Sequence, residues 1–555
     1  MKKIIPVFIA LGLILVILLG VFGFQVLKKY IPSNDPSDLN AYYGVSGDET
    51  AVLYEDGLQE VKGIWRNGQT YLPLTWVNEK LNKRFYWDST ESLLVYALPD
   101  QIVYADANTM GSTGNPLLLE EEGEVYLALG LIANYTNVQI SSYDSGDVKR
   151  VFLNEWGTRQ VAQVKKNGKV REQGGIKSPV VTEAAKGTEV TVLEAMEEWS
   201  RVETPDGHVG YIQNKVLEPA ESREFSGNFA EPVYEGTSLP EKVTLVWHQI
   251  TTMEANNGLE SLIENTKGVN VVSPTWFALL DNEGNYRSLA SRSYVDKAHE
   301  MGLQVWALLD NFSDDVNSEI LLASTTKRRK LINSLMDDVE QYDLDGLNMD
   351  FEGLKPEAGV HYVQFLRELS IACREKGIVL SVDNYVPASY NDFYDREEQG
   401  IVADYVIIMG YDEHYAGGEA GSVASLDYVR GGIERTLNDV PKEKVINAVP
   451  FYTRLWTETE SGWKSTALGI AKAKEWIEEN QVELYWQEEL GQYYGEFQSD
   501  EGMQFIWMEE EDSLEKKMEL IRQYDLAGVA CWKLGLEDEA AWDSIRWEET
   551  GTENE

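Results

Sequence analysis

The stretch Asp345-Gly346-Leu347-Asn348-Met349-Asp350-Phe351-Glu352 alternates acidic or amide side chains with large apolar ones and closes on a glutamate. In a strand, residues two apart share a face, so Asn348, Asp350 and Glu352 align while Leu347, Met349 and Phe351 point the other way. The apolar three suit a packed face. Three polar groups opposite them would be costly to bury without partners, so they read as the lining of a cavity where a proton donor meets a charged neighbour. Taken bare, the pattern also fits a half-exposed strand with a solvated face or an ion-pairing stripe, and the rest of the chain decides between these readings.

From about residue 241 onward, apolar runs alternate with helical stretches. Candidate strands are Val243 to Ile250, Val269 to Trp276, Gln304 to Phe312, Gly346 to Glu352, Val379 to Tyr385, Tyr405 to Tyr411, Lys444 to Tyr452 and Gly528 to Leu534. Helical stretches such as Ser291 to Met301, Lys327 to Tyr342 and His361 to Lys376 separate them. Eight strands over roughly 300 residues predict a parallel (β/α)8 barrel over 241–550, whose active-site residues sit at the C-terminal strand ends. The opening motif ends the fourth. The wide gap between Arg454 and Gly528 holds Tyr485-Trp486 and Phe505-Ile506-Trp507, and predicts a small α+β insertion that deepens the cleft.

These strands resemble glycoside hydrolase family 18. The family's fourth strand carries D-x-x-D-x-D-x-E, matched by Asp345, Asp350 and Glu352, with Asn348 in place of the second Asp. Further matches follow in order: Met409-Gly410-Tyr411-Asp412 on strand six, Pro450-Phe451-Tyr452-Thr453-Arg454-Leu455-Trp456 on strand seven and Trp532 on strand eight. The last two look most like a branch with spore-cortex and peptidoglycan N-acetylglucosaminidases. The resemblance implies a retaining, substrate-assisted hydrolase outside the two-carboxylate scheme. It implies catalytic roles for Glu352 as general acid and then base, for Asp350 as the carboxylate that orients the acetamido N–H, and for Tyr411 as donor to the acetamido oxygen. Asn348, Asp345, Trp532, Asp412, Arg454, Asn384 and Trp276 are the expected substrate-binding residues, with Asp383, Glu413 and His414 as further candidate contacts. For Tyr411 and Trp532 taken alone, barrel-core packing is the commoner role.

Two departures stand out. Asn348 keeps hydrogen bonding but cannot carry charge, which predicts an altered pH dependence. Strand three ends in Asp310-Asn311-Phe312 where the family often has Ser-x-Gly-Gly.

Ahead of the barrel, residues 42–160 hold an internal repeat. Asn67-Gly68-Gln69-Thr70-Tyr71-Leu72-Pro73-Leu74 recurs 55 residues on as Glu122-Gly123-Glu124-Val125-Tyr126-Leu127-Ala128-Leu129, and Trp87-Asp88-Ser89-Thr90 recurs 56 on as Tyr143-Asp144-Ser145-Gly146. Each copy reads as strand, short helix and hairpin. The region resembles stalk domains related to the N-terminal domain of copper amine oxidases, with nothing that looks like a copper site. Residues 163–218 read as about five short strands with turns at Lys186-Gly187 and Pro205-Asp206-Gly207. Gly187, Trp199, Gly207 and Gly210-Tyr211-Ile212 resemble the bacterial SH3 pattern, which implies a wall-directed anchor or a structural spacer. Residues 219–240, rich in Glu, Gly, Ser and Pro, form a linker.

Residues 1–30 are the remaining segment. Ile4 to Phe24 is nearly unbroken apolar sequence between Lys2-Lys3 and Lys28-Lys29, long enough to span a bilayer as a helix of ~20 residues. An uncleaved anchor with an extracytoplasmic body is expected. The formal charge of −45 and pI near 4.5 argue against a nucleic-acid partner. Two cysteines and five scattered histidines give neither a disulfide framework nor a metal site, and no cofactor is expected. The chain therefore reads as a membrane-anchored, wall-directed hydrolase of β-1,4 bonds in N-acetylated glycan, with peptidoglycan favoured. A chitinase-like hydrolase and an inactive glycan-binding wall protein are the alternatives.

Overall fold

The computed structural model describes residues 5–547 except Ser145 and Asp147. Ile4, Lys2-Lys3 and Ser145 of the second repeat therefore lie outside the described residues. The chain forms two compact units: residues up to Phe85 with Tyr104–Glu231, and Tyr86–Val103 with the chain from Pro232 onward.

In the first unit, Ile5–Lys28 is a helix. Its Val7–Lys28 portion, with mean hydropathy 3.0, is long and apolar enough to cross a membrane. A seven-stranded sheet follows, in which the repeat copies pair antiparallel with Tyr71 opposite Ala128 and Leu72 opposite Leu127. Each copy is a strand leading into a helix, Gln69–Pro73 into Leu74–Lys80 and Glu124–Ala128 into Leu129–Tyr135. A second seven-stranded sheet, from Gly157 to Phe225, wraps a small core of Val164, Val170, Val190, Val202 and Ile212. Gly210 is required there because a Cβ would meet Arg171 O at 2.6 Å.

The second unit is built on a closed parallel barrel. Its strands are β1 (Val243–His248), β2 (Val271–Pro274), β3 (Gln304–Asp310), β4 (Gly346–Asp350), β5 (Val379–Tyr385), β6 (Tyr405–Met409), β7 (Val445–Pro450) and β8 (Gly528–Trp532). Each pairs with its neighbours in parallel, and β8 closes on β1 with Val243 opposite Gly528 and Val246 opposite Cys531. All eight candidate strands are present, because parallel strands buried on both faces appear in sequence as continuous apolar runs. Trp247, Trp306, Leu308, Tyr405 and Ile407 fill the barrel, while Leu347, Met349, Phe351, Val382 and their neighbours pack outward against helices. Gly410, just past β6, lies against β7 so closely that a Cβ would stand 2.7 Å from Ala448 O. Between β7 and β8 a five-stranded antiparallel sheet and the helix Ile470–Glu479 form the α+β insertion.

The hairpin Tyr86–Asp88 with Leu93–Ala97 belongs to this unit. Asp88 accepts from Thr325 N at 2.6 Å, and Glu91 accepts from Thr326 N at 2.7 Å and Ser324 Oγ at 2.6 Å. Two carboxylates thus cap the N-terminus of helix Thr325–Tyr342, where free N–H groups and the helix dipole favour negative charge. Below that cap, Arg328 donates to Glu368 at 2.8 Å, to Leu322 O at 2.7 Å and to Tyr86 Oη at 3.2 Å, with arginine and glutamate both buried. Removing one member of a buried pair leaves an uncompensated charge, at a cost of roughly 3–5 kcal/mol. Replacing Arg328 with Met should therefore lower the barrel's urea midpoint markedly, whereas Lys297→Ala, at the exposed pair with Glu260, should cost about 1 kcal/mol or less. Chemical denaturation followed by tryptophan fluorescence distinguishes the two.

Candidate active site

The carboxylates gather at the C-terminal ends of β3, β4 and β5. Asp310 ends β3 in register with Asp350 at the end of β4. Asp383 lies on β5 one step beyond the Met349–Val382 pair, and Glu352 follows two residues after Asp350. Asp350 and Asp383 are 5% and 2% exposed. Glu352 is half-buried and borders a cavity of about 960 Å³ lined by Asn311, Phe312, Asn317, Lys355 and Tyr385.

Glu352 is held by groups on both sides. Its N–H donates to Asn311 Oδ1 at 2.8 Å, Asn311 Nδ2 donates to Glu352 O at 2.9 Å, and Tyr385 Oη donates to Glu352 Oε2 at 2.6 Å. Burial raises its pKa above the ordinary glutamate value, Tyr385 opposes that by favouring the charged form, and the charges of Asp412 and Asp310 add to it. A raised pKa is what a carboxyl group needs if it is to serve as a proton donor. Asp350 is raised well above the usual aspartate range, first by burial and then by Asp383, Glu352 and Asp310. Its Oδ1 is buried and has no hydrogen-bond donor among the described residues.

Asn348 is fully buried and completely used. Its Oδ1 accepts from Trp247 Nε1 at 2.9 Å and Ser273 Oγ at 3.2 Å, and its Nδ2 donates to Ser381 Oγ at 3.1 Å and Asp383 Oδ1 at 2.8 Å. Tyr411 packs edge-on against Tyr452 with ring centroids 6.3 Å apart. Burial, Tyr452 and the carboxylates of Asp350, Asp383 and Glu352 raise its pKa, so its hydroxyl remains a donor. Trp532 ends β8 beside Trp247 at 5.7 Å, half-buried at the top of the barrel core. Asp412, in a left-handed conformation with φ 56°, accepts from Tyr452 Oη at 2.6 Å and lies 3.8 Å from Arg454 Nη2.

Three expected substrate contacts lie elsewhere. Asp345 precedes β4 at the opposite end of the barrel, where it accepts from Val305 N at 2.8 Å and meets His299 Nε2 at 2.8 Å; it braces strands. Asn384 faces outward and donates to Gln399 Oε1 at 2.6 Å, since its neighbour Asp383 takes the inward face. Trp276 is fully buried beyond the end of β2 and donates to Asn256 Oδ1 at 2.8 Å in the outer core. Of the further candidates, Glu413 caps Ser425 N at 2.8 Å and His414 meets Glu419 O at 3.0 Å. Tyr385 and Asn311 are the contributors that went unassigned. Tyr385 could have been found, because it shares the face of Asp383 two residues on.

The glycosyl hydrolases family 18 profile matches residues 310–537, and a bacterial SH3 domain profile matches residues 166–218. The chain is 28% identical over 294 residues to the uncharacterized glycosylase YvbX of Bacillus subtilis, covering 50% of this chain and 84% of that protein. It is 27% identical over 262 residues to the cortical fragment-lytic enzyme of the same organism, covering 45% of this chain and 61%, less than two thirds, of that enzyme. In fold it resembles the crystal structure of the Bacillus cereus spore cortex-lytic enzyme SleL, with TM-score 0.51 and 18% identity, covering 61% of this chain and 77% of the other. The C-terminal barrel is a glycosyl hydrolase family 18 domain, a glycosidase, carried on a chain that also holds a bacterial SH3 domain.

Proposed function

We propose that this chain is a membrane-anchored, wall-directed hydrolase that cleaves β-1,4 bonds of N-acetylated glycan with retention, using the substrate's own acetamido group as nucleophile. The observation that carries this reading is the inequality of the two carboxylates at the C-terminal end of β4. Glu352 borders the open cavity with its pKa raised by burial, whereas Asp350 is buried and has an oxygen without a donor among the described residues. Asp350 is thus better placed to accept a hydrogen bond than to attack a sugar carbon.

In the first step Glu352 gives its proton to the glycosidic oxygen, the bond from that oxygen to the anomeric carbon breaks, and the acetamido oxygen bonds to the same carbon. The positive charge that develops on the acetamido group is stabilised by Asp350 Oδ1 accepting its N–H, while the Tyr411 hydroxyl donates to the acetamido oxygen before attack and fixes its approach. Water then attacks the anomeric carbon, giving a proton to the Glu352 carboxylate, and the acetamido oxygen leaves. Two displacements preserve the anomeric configuration. Trp532 offers a flat apolar surface for a pyranose ring.

The substrate follows from the chain's other parts. An apolar N-terminal helix that can cross a membrane, a bacterial SH3 domain and a relative named for cortical fragments favour peptidoglycan over chitin.

Incubation with purified peptidoglycan and with chitin oligomers, followed by mass spectrometry of released fragments, should show peptidoglycan products. Cleavage of chitin alone would reverse the substrate choice, and no cleavage of either would favour a glycan-binding role. De-N-acetylated glycan should resist, having lost the nucleophile, and Glu352→Gln should lower kcat by about 10²–10⁴-fold. Activity requires protonated Glu352, so it falls as pH rises through the raised pKa. Tyr385→Phe removes a hydrogen bond that favours the charged form and should move this alkaline limb upward, while Asp412→Asn removes a like charge and should move it downward; pH profiles of kcat/KM measure both.

A further inference from the structure

Asp350 and Asp383 are two buried carboxylates on adjacent strands, facing the same interior. Asp383 accepts one hydrogen bond, from Asn348 Nδ2 at 2.8 Å, and neither oxygen of Asp350 accepts one from the described residues. The charges that bear on the pair are carboxylates: Glu352 on both, and Asp310 from β3 on Asp350. The phenols of Tyr362, Tyr394 and Tyr411 also face them from the helix after β4, the segment after β5 and the end of β6. Arg287 acts on Asp310 but not among the main influences on either aspartate. Two like charges so placed, with no cation among the described residues' main influences on either, are strongly opposed by burial.

The amide of Asn348 is oriented by its surroundings. The Trp247 indole N–H can only donate, so the atom facing it must be oxygen, and the nitrogen therefore faces Asp383. An ionised carboxylate at 348 could not donate to Asp383 and would add a third negative charge to the set. The replacement that departs from the family pattern is thus matched by a carboxylate on the next strand.

Resting on the reading of the site as a substrate-assisted hydrolase, we propose that Asp383 is a positioning residue that shares one proton with Asp350, in an arrangement held by the Asn348 amide. In the resting site the proton lies mainly on Asp350. When positive charge develops on the acetamido group, the Asp350 O–H bond breaks and an O–H bond forms on Asp383 Oδ2, leaving Asp350 anionic beside the charge it stabilises. The proton returns when the intermediate is hydrolysed, so the cycle has no net proton gain or loss. The burial of both carboxylates well above their ordinary pKa range accords with this single-proton state.

The test uses the detergent-solubilised full chain and whichever of purified peptidoglycan and N-acetylglucosamine oligomers it cleaves. In the parent the acid limb of kcat/KM reports a second proton entering the pair, mainly at Asp383, whereas in Asp383→Asn it reports protonation of Asp350 itself, the better proton holder. The limb should therefore move up by about one pH unit and kcat should fall about tenfold or more, with KM little changed. Asn348→Asp adds a carboxylate and should move that limb up. The swap Asn348→Asp with Asp383→Asn restores a two-carboxylate set and should return the limb towards its original position, with partial recovery of kcat. Thermal melting of each variant identifies any that fail to fold, in which case the remaining two decide the order of the limbs. An acid limb unmoved in folded Asp383→Asn, or a swap that recovers nothing, overturns the proposal while loss of activity in Glu352→Gln leaves the hydrolase reading standing. An unaffected Glu352→Gln overturns that reading itself.

Discussion

The mouth of the barrel depends on one amide. Asn348 sits on β4 and spends its four hydrogen-bonding positions on Trp247 of β1, Ser273 of β2, and Ser381 and Asp383 of β5. These bonds cross the barrel interior between strands distant in sequence, so they fix at once the inward faces of β4 and β5. Burying an amide costs little when every donor and acceptor is matched, and a great deal when one is lost. The positions of Asp350 and Asp383 follow from that network, because strand alternation places each two residues beyond a residue it holds.

The fold was legible because its strongest signals are local. Eight apolar runs, separated by helical stretches, describe a barrel with little help from tertiary detail. The motif on β4 was legible for the same reason, since period-two alternation assigns Asn348, Asp350 and Glu352 to one face. The misplaced residues are failures of parity and of strand ends. Asn384 follows an inward residue and so points outward, Asp345 lies before the strand rather than at its mouth, and Trp276 lies past the last paired residue of β2 and turns into the outer core. Tyr385 obeys the same parity, yet a lone tyrosine at a strand end carries no chemical signature until Glu352 is seen to accept its hydroxyl.

Asn311 illustrates what sequence could not supply. Its side chain bonds both the N–H and the carbonyl of Glu352 across the β3–β4 gap, clamping the backbone of the proposed proton donor. In sequence it appeared only as part of a departure from the family's strand-three pattern. The geometry gives that departure a use, for an amide spanning two backbone groups fixes the donor without adding charge to an already acidic site.

The hairpin formed by residues 86–103 makes this chain less modular than its domains suggest. It is encoded within the repeat region, far ahead of β1, yet its Asp88 and Glu91 complete a helix N-terminus and its Tyr86 completes the setting of Arg328. A boundary drawn at the linker before β1 would sever these partners and leave the N–H groups of Thr325 and Thr326 without their carboxylates beside a buried ion pair. Residues 86–103 and the glycosidase barrel therefore form one transplantable piece, since a barrel moved to another chain without its hairpin would lose two carboxylates from a helix N-terminus and one contact of its buried arginine.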